Sequence, residues 1–400
     1  MRTSTHLSNK RRFPDGFIWG TATAAHQVEG GNWNNDWWAW EHALDSPCQE
    51  PSGDACDHWH RYPADIRLCA ELGFGAYRFS LEWSRIEPED GEFSHAALEH
   101  YRRMCATCHE HGLEPIVTFH HFTTPRWVAA RGGWVEPSTA DHFARFCERA
   151  TASLGDLIGR ACTVCEPNIV ATMGYLCGIF PPGHRDPDLR RRANDVLVVA
   201  HRKAAEAIHA GPGKASVGLT LAMFDYQAVD GGHAERDRYR RDIEDVFLEA
   251  ARGDDFVGVQ CYSRIRVGPQ GLLDPDGDAR LTQMGYEFWP DALAATIRRA
   301  WDVTGKVPVL VTENGIATED DTERIEYIEQ ALSGVLGCLA DGIDVRGYLY
   351  WSLLDNFEWV LGYRPTFGLV AVDRMTQART LKPSARWLGD IARANTLPMG

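Results

Sequence analysis

The chain has 400 residues, with 41 Lys and Arg against 56 Asp and Glu, a formal net charge of −15. That surplus of acid argues against nucleic acid or an anionic membrane surface as partner, since both call for basic patches. Hydrophobic content of 44% and charged content of 24% are ordinary globular values and supply a large core.

Met1 to Arg12 is basic without an apolar stretch. No secretory signal is therefore expected, and residues 1–12 read as a loosely ordered extension. No later apolar run is long enough to span a bilayer. Eleven cysteines, an odd number scattered through a long chain, fit reduced thiols and a cytoplasmic location.

From there the chain alternates. Strand-like runs occur at Phe17–Thr21, Ala76–Ser80, Pro115–Phe119, Ala161–Cys165, Ser216–Leu221, Phe256–Gln260, Val307–Thr312 and Val345–Trp351. Helical patterns lie between most of them, at Pro63–Leu72, Ala96–His111, Ser138–Leu154, Asn194–His209, Ile243–Ala251, Pro290–Trp301 and Thr322–Asp341. A last one, Pro383–Ala394, follows the final strand. This alternation, with no linker between domains, predicts a closed (β/α)8 barrel. An open doubly wound sheet would need a Gly-rich nucleotide turn after its first strand, and Gly16-Phe-Ile-Trp-Gly20 does not supply one.

Two cysteine pairs invite a metal or haem reading. Cys105-Ala-Thr-Cys108-His109 sits in an amphipathic helical pattern, and Cys162-Thr-Val-Cys165 in a strand, where i and i+3 are expected on opposite faces. Neither brings a matching ligand set, so both read as packing thiols and no metal is expected.

A barrel places its chemistry just past the C-terminal ends of its strands. Those ends read Ala25-His26-Gln27, Arg78-Phe-Ser80, His120-His121-Phe122, Cys165-Glu166-Pro167-Asn168, Gln260-Cys261-Tyr262, Glu313-Asn314 and Trp351. The seventh strand is the sharpest case: Val309-Leu-Val-Thr-Glu313-Asn-Gly315 runs from buried β-branched residues straight into a carboxylate. Glu166 and Glu313 thus give two carboxyls at one end of the barrel. Paired carboxyls among aromatics and amides suit glycoside hydrolysis, retaining when they stand about 5–5.5 Å apart and inverting when wider.

The motifs Phe13-Pro-Asp-Gly-Phe-Ile-Trp-Gly20, Tyr77-Arg-Phe-Ser-Leu-Glu-Trp83, His121-Phe122 and Glu166-Pro167 follow one another in that order. Gly285-Tyr-Glu-Phe-Trp-Pro290, Val311-Thr-Glu-Asn-Gly315 and Trp351-Ser-Leu-Leu-Asp-Asn-Phe-Glu-Trp359 come after them. Together they resemble glycoside hydrolase family 1, the retaining β-glucosidases and β-galactosidases, from Phe13 to about Trp387. The resemblance implies one catalytic barrel domain over residues 1–400 and a small β-glycoside substrate of glucoside, galactoside or fucoside type. It implies no cofactor, and it leaves the oligomeric state open.

Carried over residue by residue, it makes Glu313 the nucleophile and Glu166 the general acid/base, with Arg78 and Tyr262 supporting Glu313. It puts Gln27, His121, Cys165, Trp351, Glu358, Trp359 and Phe367 around the sugar. Met173, Phe180 and Tyr286 stand by position on the aglycone side. Glu358, Pro365 and Phe367 occupy the places where phospho-glycosidases resembling this segment carry Ser, Lys and Tyr, so a non-phosphorylated substrate is expected.

Three residues depart from the family pattern. Cys165 replaces the Asn before the acid/base, Gln260 replaces an Asn two residues before Tyr262, and Phe122 replaces a Trp. A thiol is a poor donor to a sugar 2-hydroxyl. The alternatives this leaves are a transglycosidase acting on a donor changed at C2, or a sugar-binding barrel with weak turnover.

Overall fold

A computed structural model describes residues 11–398 of the chain. Residues 1–10 of the expected extension lie outside the described residues. The eight barrel strands are β1 (Ile18–Ala22), β2 (Ala76–Ser80), β3 (Glu114–His121), β4 (Arg160–Cys165), β5 (Ser216–Ala222), β6 (Phe256–Gln260), β7 (Val309–Asn314) and β8 (Val345–Trp351). Each pairs in parallel with the next, and β8 closes on β1. The expected (β/α)8 barrel is therefore what the chain forms.

Its outer helices are α1 (His58–Glu71), α2 (His95–Glu110), α3 (Ser138–Leu154), α4 (Pro187–Ala210), α5 (Val246–Ala250), α6 (Ala292–Val303), α7 (Asp321–Ala340) and α8 (Pro383–Ala394). Local chemistry explains their bounds. In α3, Phe143, Phe146, Cys147, Ala150 and Leu154 fall on one buried stripe at helical spacing. The expected helix at Asn194–His209 in fact begins at Pro187, because Asp186 caps it: its carboxylate accepts from the Asp188 and Leu189 amides, and Pro187 takes the first helical position. The expected Ile243–Ala251 helix is broken up, with α5 preceded by a short helix at His233–Tyr239 and a π turn at Arg240–Asp245.

Inside the barrel, Ala76, Ile116, Cys162, Phe256, Leu310 and Leu349 form a buried apolar plug. Side chains above it face the cavity at the C-terminal end. In β6 this follows simple alternation, with Phe256 in the plug and Gln260 and Tyr262 facing the cavity end.

Two strands break the alternation. Pairing of β4 with β5 slips between Cys162 and Cys165, and pairing of β7 with β6 slips between Val311 and Glu313. These bulges carry residues three apart onto the same inner side. Cys162 and Leu310 sit in the plug, while Cys165 and Glu313 meet above it. The expectation that Cys162 and Cys165 face opposite sides is thus corrected: both point inward. Cys105 and Cys108 are buried on α2 as packing thiols, and all eleven cysteines are unpaired. Among the described residues no helix is long and apolar enough to cross a membrane.

Candidate active site

Glu313 ends β7 and is only 3% exposed. Arg78, from β2, donates through Nη1 to Glu313 Oε1 at 2.5 Å, and the Tyr262 hydroxyl donates to Oε2 at 2.5 Å. Arg78 is itself fixed from behind, its Nε donating to Thr118 Oγ1 at 2.9 Å. Gln260 Nε2 adds a third donor, to Glu313 Oε1 at 2.5 Å. Three N–H or O–H donors, one of them a full positive charge, and the more distant Cys165 thiol at 3.8 Å therefore converge on a single buried carboxylate, an arrangement that favours the ionised form.

Glu166 follows β4 directly. Its backbone is left-handed, with φ 50° and ψ 54°, and Pro167 behind it opens a short helix. A non-glycine residue in that region costs on the order of 1–3 kcal/mol, and such strain gathers at functional sites because it fixes a side-chain direction. The side chain forms no hydrogen bond among the described residues, is 8% exposed and borders the same cavity as Glu313. Burial, and next the neighbouring Glu313 charge, push its carboxyl well above the usual range. Burial also raises Glu313, but Arg78, Tyr262 and Cys165 pull against it. The two carboxyls therefore divide into an anion held by donors and an acid with none.

The cavity between them has a volume of about 280 Å³. It brings together Gln27, His121, Trp351, Glu358, Trp359 and Phe367, all expected around a sugar. It also takes in Met173, Phe180 and Tyr286, expected on the outer side. Arg78 and Cys165 complete the set from beneath, through Glu313.

The aromatic groups form a continuous wall. The His121 ring stacks near-parallel to Trp351 and Trp359, with centroids 5.9 and 6.1 Å away. Gln27 Nε2 is turned to the Phe357 carbonyl at 2.8 Å and to Asn356 Oδ1 at 3.1 Å, which leaves its Oε1 without a protein partner. Glu358 is raised to about 8 by burial and the Glu313 charge. Burial, and next the Arg78 charge, hold His121 well below its ordinary value, which favours the neutral ring.

Gln260, which donates to Glu313, is the site residue that sequence reasoning undervalued. It registers there only as a departure from a pattern, although its place at the end of a strand, two residues before Tyr262, was the available signal. A larger cavity of about 390 Å³ lies beyond Phe122, which borders both. Its one carboxyl is Asp36, so it lacks the pair that the chemistry needs.

The profile of Glycosyl hydrolase family 1 matches residues 9–251 and 261–397, nearly the whole chain. The chain belongs to glycosyl hydrolase family 1. It is thus a glycoside hydrolase. Beta-glucosidase A of Thermotoga maritima is 32% identical over 447 aligned positions, covering 97% of this chain and 99% of that protein. The alignment is longer than the chain itself, so this relative carries residues that the 400-residue chain lacks. A bifunctional beta-D-glucosidase/beta-D-fucosidase of Bifidobacterium breve is 32% identical, with 94% and 97% of the two chains covered. Among solved structures, the β-glycosidase BGL167 superposes with a TM-score of 0.91 at 50% identity, covering 97% of this chain and 99% of that one.

Proposed function

We propose that this family 1 enzyme hydrolyses non-phosphorylated β-glycosides with retention of configuration, Glu313 attacking the anomeric carbon and Glu166 relaying the proton. The observation that carries the assignment is the asymmetry of the two carboxyls. Glu313 is held by donors from Arg78, Gln260 and Tyr262 and by the Cys165 thiol at 3.8 Å, whereas Glu166 has none and faces the same space.

In the first step Glu166 protonates the leaving oxygen while Glu313 forms the glycosyl ester. Esterification removes the Glu313 charge that helps raise Glu166. Glu166 then becomes the stronger acid, and as a carboxylate it takes a proton from water to release the sugar. Trp351 offers the apolar sugar face a flat partner, and Gln27 and Glu358 offer hydroxyl ligands. Glu358 in the cavity wall also disfavours a phosphate on the substrate.

A second reading concerns the donor. Cys165 Sγ lies 3.8 Å from Glu313 Oε1, where the family pattern has an amide donor. Loss of that donor supports weak grip on a 2-hydroxyl and tolerance of donors changed at C2. A pure sugar-binding role gains no support from a carboxylate so heavily furnished with donors.

The test is a panel of nitrophenyl β-glycosides, including a 2-deoxyglucoside, with the first-released anomer followed by NMR. Wild type is expected to release the β-anomer, and Glu313→Ala to fall to background on every substrate. Turnover surviving in Glu313→Ala, or release of the α-anomer, contradicts the assignment.

A further inference from the structure

The thiol at position 165 changes what the floor of the cavity can bind. Cys165 Sγ lies 3.9 Å from His121 Nε2 and 3.8 Å from Glu313 Oε1. The ligand atoms of these three buried residues all fall within 4.8 Å of one another. One sulfur, one imidazole nitrogen and one carboxylate oxygen, from β4, β3 and β7, thus converge on one point. A tetrahedral zinc ion, with bonds of about 2.0–2.3 Å, sets its ligand atoms about 3.4–3.6 Å apart. The trio reaches that spacing by closing a few tenths of an ångström at the sulfur and at most about 1.4 Å between the other two ligand atoms.

Ligand hardness points the same way. Glu166, Glu313 and Glu358 border the cavity, and Arg78 is the guanidinium set against Glu313. Burial keeps Glu166 and Glu358 largely protonated and Arg78 balances Glu313, so ligand type rather than surplus charge selects the cation. Thiolate selects Zn²⁺ or Cd²⁺ over Mg²⁺ and Ca²⁺, which take hard oxygen ligands. His121 and Glu313 both border the cavity, so a fourth position opens toward water or a sugar hydroxyl. Arg78 and Gln260 already occupy Glu313 Oε1, so the cation must draw the carboxylate partly from them. The sulfur–metal bond offsets that exchange, and the Cys165 proton leaves to solvent as it forms.

We propose that Cys165, His121 and Glu313 form a site for a thiophilic divalent cation, Zn²⁺ or Cd²⁺, which inhibits the enzyme by occupying the nucleophile. An asparagine in place of Cys165 offers no such ligand, so the site belongs to this chain's departure from its family pattern. The cation is an inhibitor here and not a cofactor.

Cd²⁺ is the probe, added to full-length protein carrying Cys48→Ser and Cys177→Ser, which removes the two thiols that are not buried. The expected result is a thiolate-to-cadmium ultraviolet absorption band saturating at one equivalent, with inhibition competitive against an aryl β-glycoside. Both are expected to weaken at least tenfold in Cys165→Ser and Cys165→Asn, and Mg²⁺ is expected to produce neither. No band in the parent protein, a band unchanged in both variants, or inhibition that is not competitive overturns the proposal. The absorption readout does not depend on turnover, so its failure is distinguishable from a failure of the catalytic assignment.

Discussion

Cys165 touches His121, Gln260 and Glu313 at once, so the proposed chemistry of this site can be tested at one side chain. A donor to the sugar 2-hydroxyl strengthens in the transition state and supplies up to several kcal/mol. Restoring one in Cys165→Asn is expected to raise kcat/KM on plain β-glucosides by about tenfold or more, with little change on a 2-deoxyglucoside. Steady-state kinetics on the two substrates check it, and equal effects on both contradict the reading. Glu166 makes a second prediction at this scale. Because burial and Glu313 raise its carboxyl, the protonated form is present at neutral pH, and activity is lost as pH rises through that raised value. The acid limb belongs to protonation of Glu313. In Glu166→Gln the group can neither ionise nor give up a proton, so kcat/KM on poor leaving groups is expected to fall about 10²–10⁴-fold. The basic limb should disappear on activated aryl glycosides. A basic limb that persists in the variant shows that another group sets it.

Among the elements, regular segments were legible in the sequence and irregular ones were not. The β2, β6 and β8 spans and the α3 and α8 spans agree with expectation, because period and propensity agree there and nothing distant competes. The long helix α4 was legible only from Asn194 onward, since Arg190-Arg191-Arg192 blurs the apolar stripe near a cap that Asp186-Pro187 did announce. The bulges in β4 and β7 leave no local trace, because register depends on the neighbouring strand. Yet those bulges bring Cys165 and Glu313 together. That is why the sequence named the two carboxyl positions without showing how the thiol meets them. Packing between β5 and β6 rests on an equally non-local fit. A Cβ added to Gly218 would lie 2.1 Å from the Phe256 carbonyl oxygen. Backbone cannot yield there without opening the ring, so Gly218→Ala is expected to cost about 1–3 kcal/mol, read as a lower urea midpoint with unchanged slope. A midpoint equal to wild type would show that the strands shift freely.

At the scale of the whole molecule, the barrel takes ordinary strand ends and gives them one shared cavity. No single stretch of sequence contains the site. Gln27, which follows β1, and Trp359, which follows β8, border one cavity because β8 closes on β1. The acidic balance of the chain leaves the cavity dependent on Arg78 to hold one carboxylate charged, and on burial to keep the other neutral. The most direct test of that division is covalent trapping. A 2-deoxy-2-fluoro-β-glucoside with an activated leaving group destabilises the oxocarbenium-like transition state and leaves the glycosyl ester long-lived. Intact mass spectrometry is expected to show one added sugar per chain, and peptide mapping to place it on Glu313. An adduct on any other residue, or steady turnover with inverted product and no adduct, contradicts the account.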